Sequence, residues 1–569
     1  MTGDMKTRNS PVLPDVAKTR LIALGLFTLV LAFYVYTLQP SLSWGDGTRL
    51  QREAISSESF ILAELVDVEF APDPFPFARL GVAAWDHPLY VIVGHLLVRA
   101  LPGVDALWLV NLLSAVFGAA TIAVLFWLCY ANTHSLLASL FAALSLTVSH
   151  TFWFHAATPE VYTLFTFLLL LSLQLYDHYE RTGRRFALVA SFFVLGLGAS
   201  NHVLTFFAGP AAVLYYLLSG GFKRETGLKL RWLWLPSLAF LAGFSPYLIQ
   251  FARMLRTFPV SQVMGPVVGS TFLRGLTGTT PLLLLASTLT FLGYLLFQFS
   301  PLGVAFGTYG LWKGSPEFAP LWRKTVAFFA VYWLFGIAYR VSDQFAFFLG
   351  AYVFWAVAIA MGVARFASSL TVPKRKWLAG GLGLAMVVMP LFYGAVPALV
   401  RSVGVTDESF GIPQIGVGVR DGLAFYLNPN KRGDDAAYRF GRETMENLPP
   451  DAVVIAQWYT DTDEYFVLRY FATIEGLRPD VELVGWPHEE PIDFDSNIAL
   501  DKVESLLEDG RPVFLASLSE DYYRASTLIE RYCVIPEGNL YRVYLEPPPA
   551  SDSAQASCQK NVPTSASSG

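Results

Sequence analysis

Residues 21–47 read Leu-Ile-Ala-Leu-Gly-Leu-Phe-Thr-Leu-Val-Leu-Ala-Phe-Tyr-Val-Tyr-Thr-Leu-Gln-Pro-Ser-Leu-Ser-Trp-Gly-Asp-Gly. The run Leu21–Leu38 carries no charge and is about long enough to cross a bilayer, which takes roughly 20 apolar residues. Lys6, Arg8, Lys18 and Arg20 precede it, which places that end in the cytoplasm. The run closes on Gln39–Trp44 rather than on an Ala-x-Ala cleavage pattern, so it reads as an uncleaved first span and not as a signal peptide. Just beyond it, Asp46 stands between two glycines where the chain leaves the bilayer.

Further apolar runs follow at 88–101, 105–130, 135–154, 160–176, 186–199, 201–218, 232–250, 281–298, 301–312, 325–341, 345–366 and 377–399. Of the 569 residues, 54% are hydrophobic and 15% charged, against about 25% charged in a soluble domain. The run lengths predict a polytopic α-helical membrane protein with about 11–13 crossings. Basic loops at Asp177–Arg185, Gly220–Arg231 and 365–376 are expected in the cytoplasm. That leaves 40–87, 251–280 and the C-terminal part outside. The parity fails once, because five runs precede Asp177. The short run 88–101, closed by Arg99, is the candidate for a segment lying along the outer surface, and 301–312 poses the same problem.

The organisation expected is a cytoplasmic N-terminus over 1–20, a transmembrane domain over 21–399 with an outer loop 40–87, an extracytoplasmic α/β domain over 400–546, and a disordered tail over 547–569, rich in Pro, Ser and Ala. Strands are expected at Asp451–Gln457, Val481–Gly485, Pro512–Ala516 and Leu540–Leu545, with helices at Asp463–Glu475 and Leu500–Glu508. Cys129, Cys533 and Cys558 show neither metal spacing nor a pairing pattern. A net charge of −5 holds nothing basic enough for nucleic acid.

The loop 40–87 is acidic and aromatic, and it holds the candidate chemistry. A carboxylate at Asp46 sits at the height of a lipid headgroup, where a base acting on a lipid-borne substrate belongs. Asp-Gly is also a strong turn signal, and on the residues alone the turn reading is the stronger. Asp86 is the rival acid; Glu53, Glu58 and Glu64 read as solvated loop charges. Glu160, opening a helix after Pro159, is an acid placed equally well for the helix dipole or for function. Asn201-His202 interrupts an apolar run, which suits a helix–helix hydrogen bond. His95, His134, His150 and His178 read as structural. Asp461-Thr462-Asp463 is closer to a helix cap than to a metal site.

Several segments carry a resemblance in order along the chain. They are Gly45-Asp46, Asp86-His87-Pro88-Leu89-Tyr90, Asn111-Leu112-Leu113-Ser114, Thr151-Phe152-Trp153 and Pro159-Glu160-Val161-Tyr162. Gly196-Leu197-Gly198, Asn201-His202, Pro246-Tyr247 with Arg253, and Glu475-Gly476-Leu477-Arg478-Pro479-Asp480-Val481 complete the set. The chain resembles the GT-C superfamily of membrane glycosyltransferases, and within it the protein O-mannosyltransferase-like family. It departs from that family at Thr48-Arg49, where an acid is usual, and after His87-Pro88, where a second proline and a glycine are missing. The resemblance implies transfer of a sugar from a polyprenyl-phosphate carrier to a hydroxyl of a protein or glycan on the outer face. Inversion, with Asp46 as general base, is implied too. Arg253 is expected to clamp the carrier phosphate, with Arg256, Arg274 and Arg340 in reserve. Asp86, His87, Glu160, Tyr162, Asn201 and His202 are expected to line the site. The resemblance implies no definite cofactor and leaves a divalent metal open, since some superfamily members use one and others do not. The competing readings are a transporter, against which stands the lack of an internal repeat, and a receptor-like membrane protein.

Overall fold

The computed structural model describes residues 16–56, 87–220, 233–257, 260, 276, 279–312, 316–341, 343–456, 463–484, 503–518 and 525–546. Asp86, Arg274, Glu58, Glu64, Asp461 and the 547–569 tail therefore lie outside the described residues.

The first half is a string of helices: α1 (Val16–Tyr36), α2 (Asp46–Ser56), α3 (Pro88–Ala100), α4 (Ala106–Thr133), α5 (Leu136–Thr147), α6 (His150–Ala157), α7 (Tyr162–Thr182), α8 (Arg185–Asn201) and α9 (Ala208–Leu218). The second half of the membrane part adds α10 (Trp234–Gly243), α11 (Ser245–Thr257), α12 (Pro281–Gln298), α13 (Pro301–Trp312), α14 (Ala319–Ala338), α15 (Gln344–Phe347), α16 (Leu349–Ser368) and α17 (Val372–Ser402). Six of these are long and apolar enough to cross a membrane, or up to eight if each bent pair is one span. Shorter apolar helices at Pro88–Ala100, Arg185–Asn201 and Val203–Leu218 make up part of the difference from the 11–13 expected. The chain is an integral membrane protein of helical architecture with a small C-terminal sheet.

Two apolar runs that read as continuous are broken. The run 135–154 splits into α5 and α6 with a bend of 61°, and 232–250 splits into α10 and α11 with a bend of 60°. Ser149 caps the first break, its Oγ donating to the Leu146 carbonyl at 2.8 Å. The expected loop Asp177–Arg185 is mostly helix, because Asp177 is buried in α7 against Lys324 of α14 at 2.6 Å. Only Gly183, at φ +68°, and Arg184 break the helical course before α8. Packing rests on small residues. Gly196 of α8 and Gly243 of α10 each lie against the other helix's backbone, and Gly310 of α13 and Gly362 of α16 do the same. A methyl at any of the four would collide with a carbonyl oxygen, so these crossings are closed to larger side chains.

The C-terminal part contains α18 (Gly422–Leu427), α19 (Ala436–Asn447), β1 (Val453–Ile455), α20 (Asp463–Thr473), β2 (Glu482–Val484), β3 (Val513–Leu515), α21 (Ala525–Arg531), β4 (Cys533–Glu537) and β5 (Leu540–Tyr544). The sheet order is β2-β1-β3-β5-β4. β1 pairs parallel with β2 and β3 (Val453↔Glu482, Val453↔Val513), and β5 pairs antiparallel with β3 and β4. The α/β expectation holds, with one strand added: β4 forms a hairpin with β5 across Gly538-Asn539, where Gly538 takes φ +62° as a two-residue turn requires. Cys533 is disulfide-bonded, contrary to the absence of pairing read from the sequence, while Cys129 is a free buried thiol.

The two parts are not separate bodies joined near residue 400. One apolar cluster contains Leu42, Trp44, Leu107 and Phe154 of the membrane part together with Phe425, Phe440 and Phe471 of the C-terminal part. Trp44 and Phe440 pack at 5.7 Å between ring centroids, and Arg52 of α2 donates to Thr473 of α20 at 3.0 Å.

Candidate active site

The segment after α1 is pinned before it becomes α2. Asn111 of α4 donates to the carbonyls of Gln39 and Ser41, both at 2.9 Å. Gln51 donates to Asn111 Oδ1 at 2.7 Å and accepts from the Ser43 amide at 3.0 Å. Gly45, at φ +59°, makes the turn that lets Asp46 open α2, where a carboxylate suits the helix N-terminus. Gly47 lies so close to Ser43 and Pro159 that a Cβ would sit 2.9–3.0 Å from them. That contact brings Asp46 beside the Pro159-Glu160 corner. The rest of α2 is buried from Gly47 to Ala54. Glu53 is fully buried, 4.0 Å from Arg49, which corrects its reading as a solvated loop charge.

Asp46 opens into a cavity of about 600 Å³, within the usual range for ligand pockets. Its polar lining includes Asp46, Glu160, Asp343, Tyr162, His155 and Gln298. Its aromatic walls come from α6 (Phe154), from the α15 segment (Phe345) and from the C-terminal part (Phe425, Tyr426). Among the described lining residues there is no arginine or lysine. Asp46 is 49% exposed and accepts from Arg49 Nε at 3.1 Å. Asp343, in the connection between α14 and α16, is pushed up to about 6 by burial, by the Asp46 charge, and against a hydrogen bond from Tyr162. Three carboxyl groups from three separate segments thus face one space with three tyrosines, Tyr162, Tyr294 and Tyr426. Such a lining suits a polyhydroxylated substrate and a proton to be removed.

Residues 84–226 match the family described as "Protein O-mannosyl-transferase TMEM260 N-terminal domain". The fold is similar to ArnT from Cupriavidus metallidurans in the apo state (TM-score 0.55, 15% identity, covering 93% of this chain and 97% of that one). ArnT from the same organism bound to undecaprenyl phosphate is also similar (TM-score 0.51, 16% identity, 93% and 98%). Residues 84–226 thus match a protein O-mannosyl-transferase domain in sequence, and the chain as a whole has the fold of ArnT.

The sequence-derived residues fall into three groups. Asp46, Glu160 and Tyr162 line the cavity. His87, Asn201 and His202 form an adjoining layer. The His87 and His202 rings stack at 5.0 Å with 2° between planes, and His87 Nδ1 lies 2.7 Å from the Asn201 carbonyl. Asn201 donates to the Val161 carbonyl at 3.0 Å, and His202 packs on Tyr162 at 5.2 Å. Arg253 lies elsewhere, on α11 beyond the bend, donating to the buried Gln250 at 3.2 Å; it does not line the cavity. Arg256 and Arg340 are exposed and do not line it either. Among the described residues no group of three or more His, Cys, Asp or Glu is arranged to hold a metal ion.

Asp343 and His155 were not found from the sequence. Asp343 follows a long apolar helix, in a connection with no motif around it. His155 sits inside an apolar run whose bend brings α6 to the cavity, and the polar Ser149-His150-Thr151 interruption was the available sign. His150, read as structural, also lines the cavity.

Proposed function

We propose that this glycosyltransferase moves a sugar from a polyprenyl-phosphate donor to an acceptor hydroxyl on the extracytoplasmic side, with Asp46 as general base. The observation that carries this reading is the placement of Asp46. It is an exposed carboxylate on an otherwise buried helix, opening into an acidic, aromatic cavity. A hydroxyl within hydrogen-bond reach of Asp46 gives up its proton as it attacks the anomeric carbon. Positive charge builds on the sugar ring as the bond to phosphate lengthens, and the Glu160 and Asp343 carboxylates favour that charge. The leaving group is a phosphate and needs no strong acid. Arg253, on the helix beyond the bend, is the proposed clamp for the phosphate. The lipid seen with ArnT from Cupriavidus metallidurans supports a polyprenyl carrier, and the matching family's description supports a mannosyl group and a protein acceptor. The disulfide at Cys533 supports an oxidising compartment for the C-terminal part.

The test is transfer of radiolabelled sugar by the purified full-length chain from polyprenyl-phosphate hexoses to a hydroxyl-bearing peptide or glycan. Turnover by wild type and none by Asp46→Asn supports the reading. Equal turnover by both removes Asp46 from the chemistry, and no turnover with any donor removes the lipid-linked sugar.

A further inference from the structure

His155 is 3% exposed, and neither ring nitrogen has a hydrogen-bond partner among the described residues. Buried polar atoms are almost always paired, and leaving one unpaired is costly. Here the unpaired nitrogens belong to a residue that lines the Asp46 cavity. Two further unpaired buried atoms line the same cavity: Nε2 of His150 and Nε1 of Trp44. His150 is otherwise held, its backbone amide donating to the Tyr393 hydroxyl at 3.2 Å. The His155 ring is fixed by packing, 4.6 Å from Tyr162 and 6.0 Å from Phe345 between centroids. The orphaned atoms are thus held in place by rigid neighbours.

We propose that His155, with His150 and Trp44, forms the subsite that binds the hydroxyl groups of the sugar being transferred and so selects which sugar is used. An imidazole offers hydrogen-bonding positions on both sides of its ring, and an indole offers one donor. Sugar hydroxyls both donate and accept, so they satisfy all of these positions, whereas an apolar ligand leaves them unpaired. Aromatic faces beside these groups give the ring a surface to lie on. The sugar must be here for a geometric reason: the attacked anomeric carbon lies next to the hydroxyl that Asp46 deprotonates. A site that hydrogen-bonds a substrate hydroxyl rejects an analogue lacking it far more strongly than an apolar pocket rejects a missing methylene. This inference rests on the glycosyl-transfer reading and deepens it.

The experiment compares full-length wild type, His155→Gln and His155→Phe. The donors are the polyprenyl-phosphate hexose that wild type transfers and its four monodeoxy forms. Wild type should lose about 10–100-fold in kcat/KM for at least one deoxy donor. In His155→Phe, kcat/KM for the parent donor should fall by a similar factor and the deoxy penalty should vanish, a non-additivity that loss of structure does not produce. His155→Gln should keep part of the discrimination, and it carries the same comparison if His155→Phe does not fold. An undiminished deoxy penalty at every position in the variants overturns the inference alone. So does a rise in acceptor KM with donor discrimination intact, since the hydroxyls bound are then the acceptor's. Inactive wild type with every hexose overturns the functional reading and this inference with it.

Discussion

Ser114 and Glu160 close a reciprocal pair: the Glu160 amide donates to Ser114 Oγ at 2.9 Å, and the same hydroxyl lies 3.0 Å from the Glu160 carbonyl. The Tyr90 hydroxyl, 2.8 Å away, holds Ser114 from the other side. A residue on a membrane helix therefore fixes the backbone of an acid that faces the cavity. This is why Asn111-Leu112-Leu113-Ser114 and Pro159-Glu160 belong to one site, although neither motif carries chemistry by itself.

Ser114→Ala leaves the Glu160 corner untied. Each hydrogen bond is worth about 1 kcal/mol, so turnover should fall roughly 5–30-fold with abundance in the membrane near wild type. Steady-state kinetics on equal amounts of folded protein checks it; unchanged turnover means the corner is held by Gly47 and Pro159 alone.

Asp46→Asn keeps the size of the side chain and removes the proton acceptor. Turnover should drop by about 10²–10⁴-fold while donor binding stays near wild type. A fall in abundance with normal specific activity would instead make Asp46 a turn residue, and near-normal turnover with loss in Asp86→Asn would move the base to the far end of the same loop.

Arg253→Ala should weaken donor binding by about 10–100-fold, the range for hydrogen bonds to a charged group. Arg253→Lys should recover only part of it, because a point charge cannot reproduce the guanidinium fork. If donor affinity holds in Arg253→Ala and falls in Arg340→Ala, the clamp is the arginine three positions before Asp343.

Asp343 gives a pH test. Its folded-state value near 6 stands above the ordinary carboxylate value of about 3.9, so the folded protein binds this proton more tightly than the unfolded chain. Stability from this group is complete below about pH 4 and is lost as pH rises to about 6. Asp343→Asn has no such dependence. Its melting temperature in detergent, relative to wild type, should climb between pH 4 and 6 and level off above; a difference that does not change with pH counts against the burial of this carboxyl beside Asp46.

Much of the architecture was legible because apolar runs and basic turns are local signals. Pairing across the chain was not. Thr151-Phe152-Trp153 could be quoted as a motif, but its work is framework: Thr151 is bonded to Gln298 at 2.6 and 2.8 Å, and Trp153 to Thr37 at 2.9 Å. Arg478, in Glu475–Val481, likewise donates to the carbonyls of Met445, Leu448 and Pro449 and ties the α19–β1 turn. Asp46 was found through its glycines, while Asp343 and His155 had no local mark, since their importance comes only from what the fold sets opposite them. The bend after α5 decided His155, and an apolar run does not announce where it will break.

The packing of Trp44 on Phe440 and of Phe154 beside Phe425 governs how this protein can be divided. A cut near residue 400 would strip an aromatic layer from both pieces and leave each with a greasy, unfilled face. Grafting the C-terminal part of a relative onto this membrane part would succeed only if the graft also carried the matching residues of 42–44 and 154. Heredity in such a protein acts on the seam as a unit: a substitution at Phe440 changes the footing of the turn that presents Asp46, two residues away from Trp44, without touching the substrate.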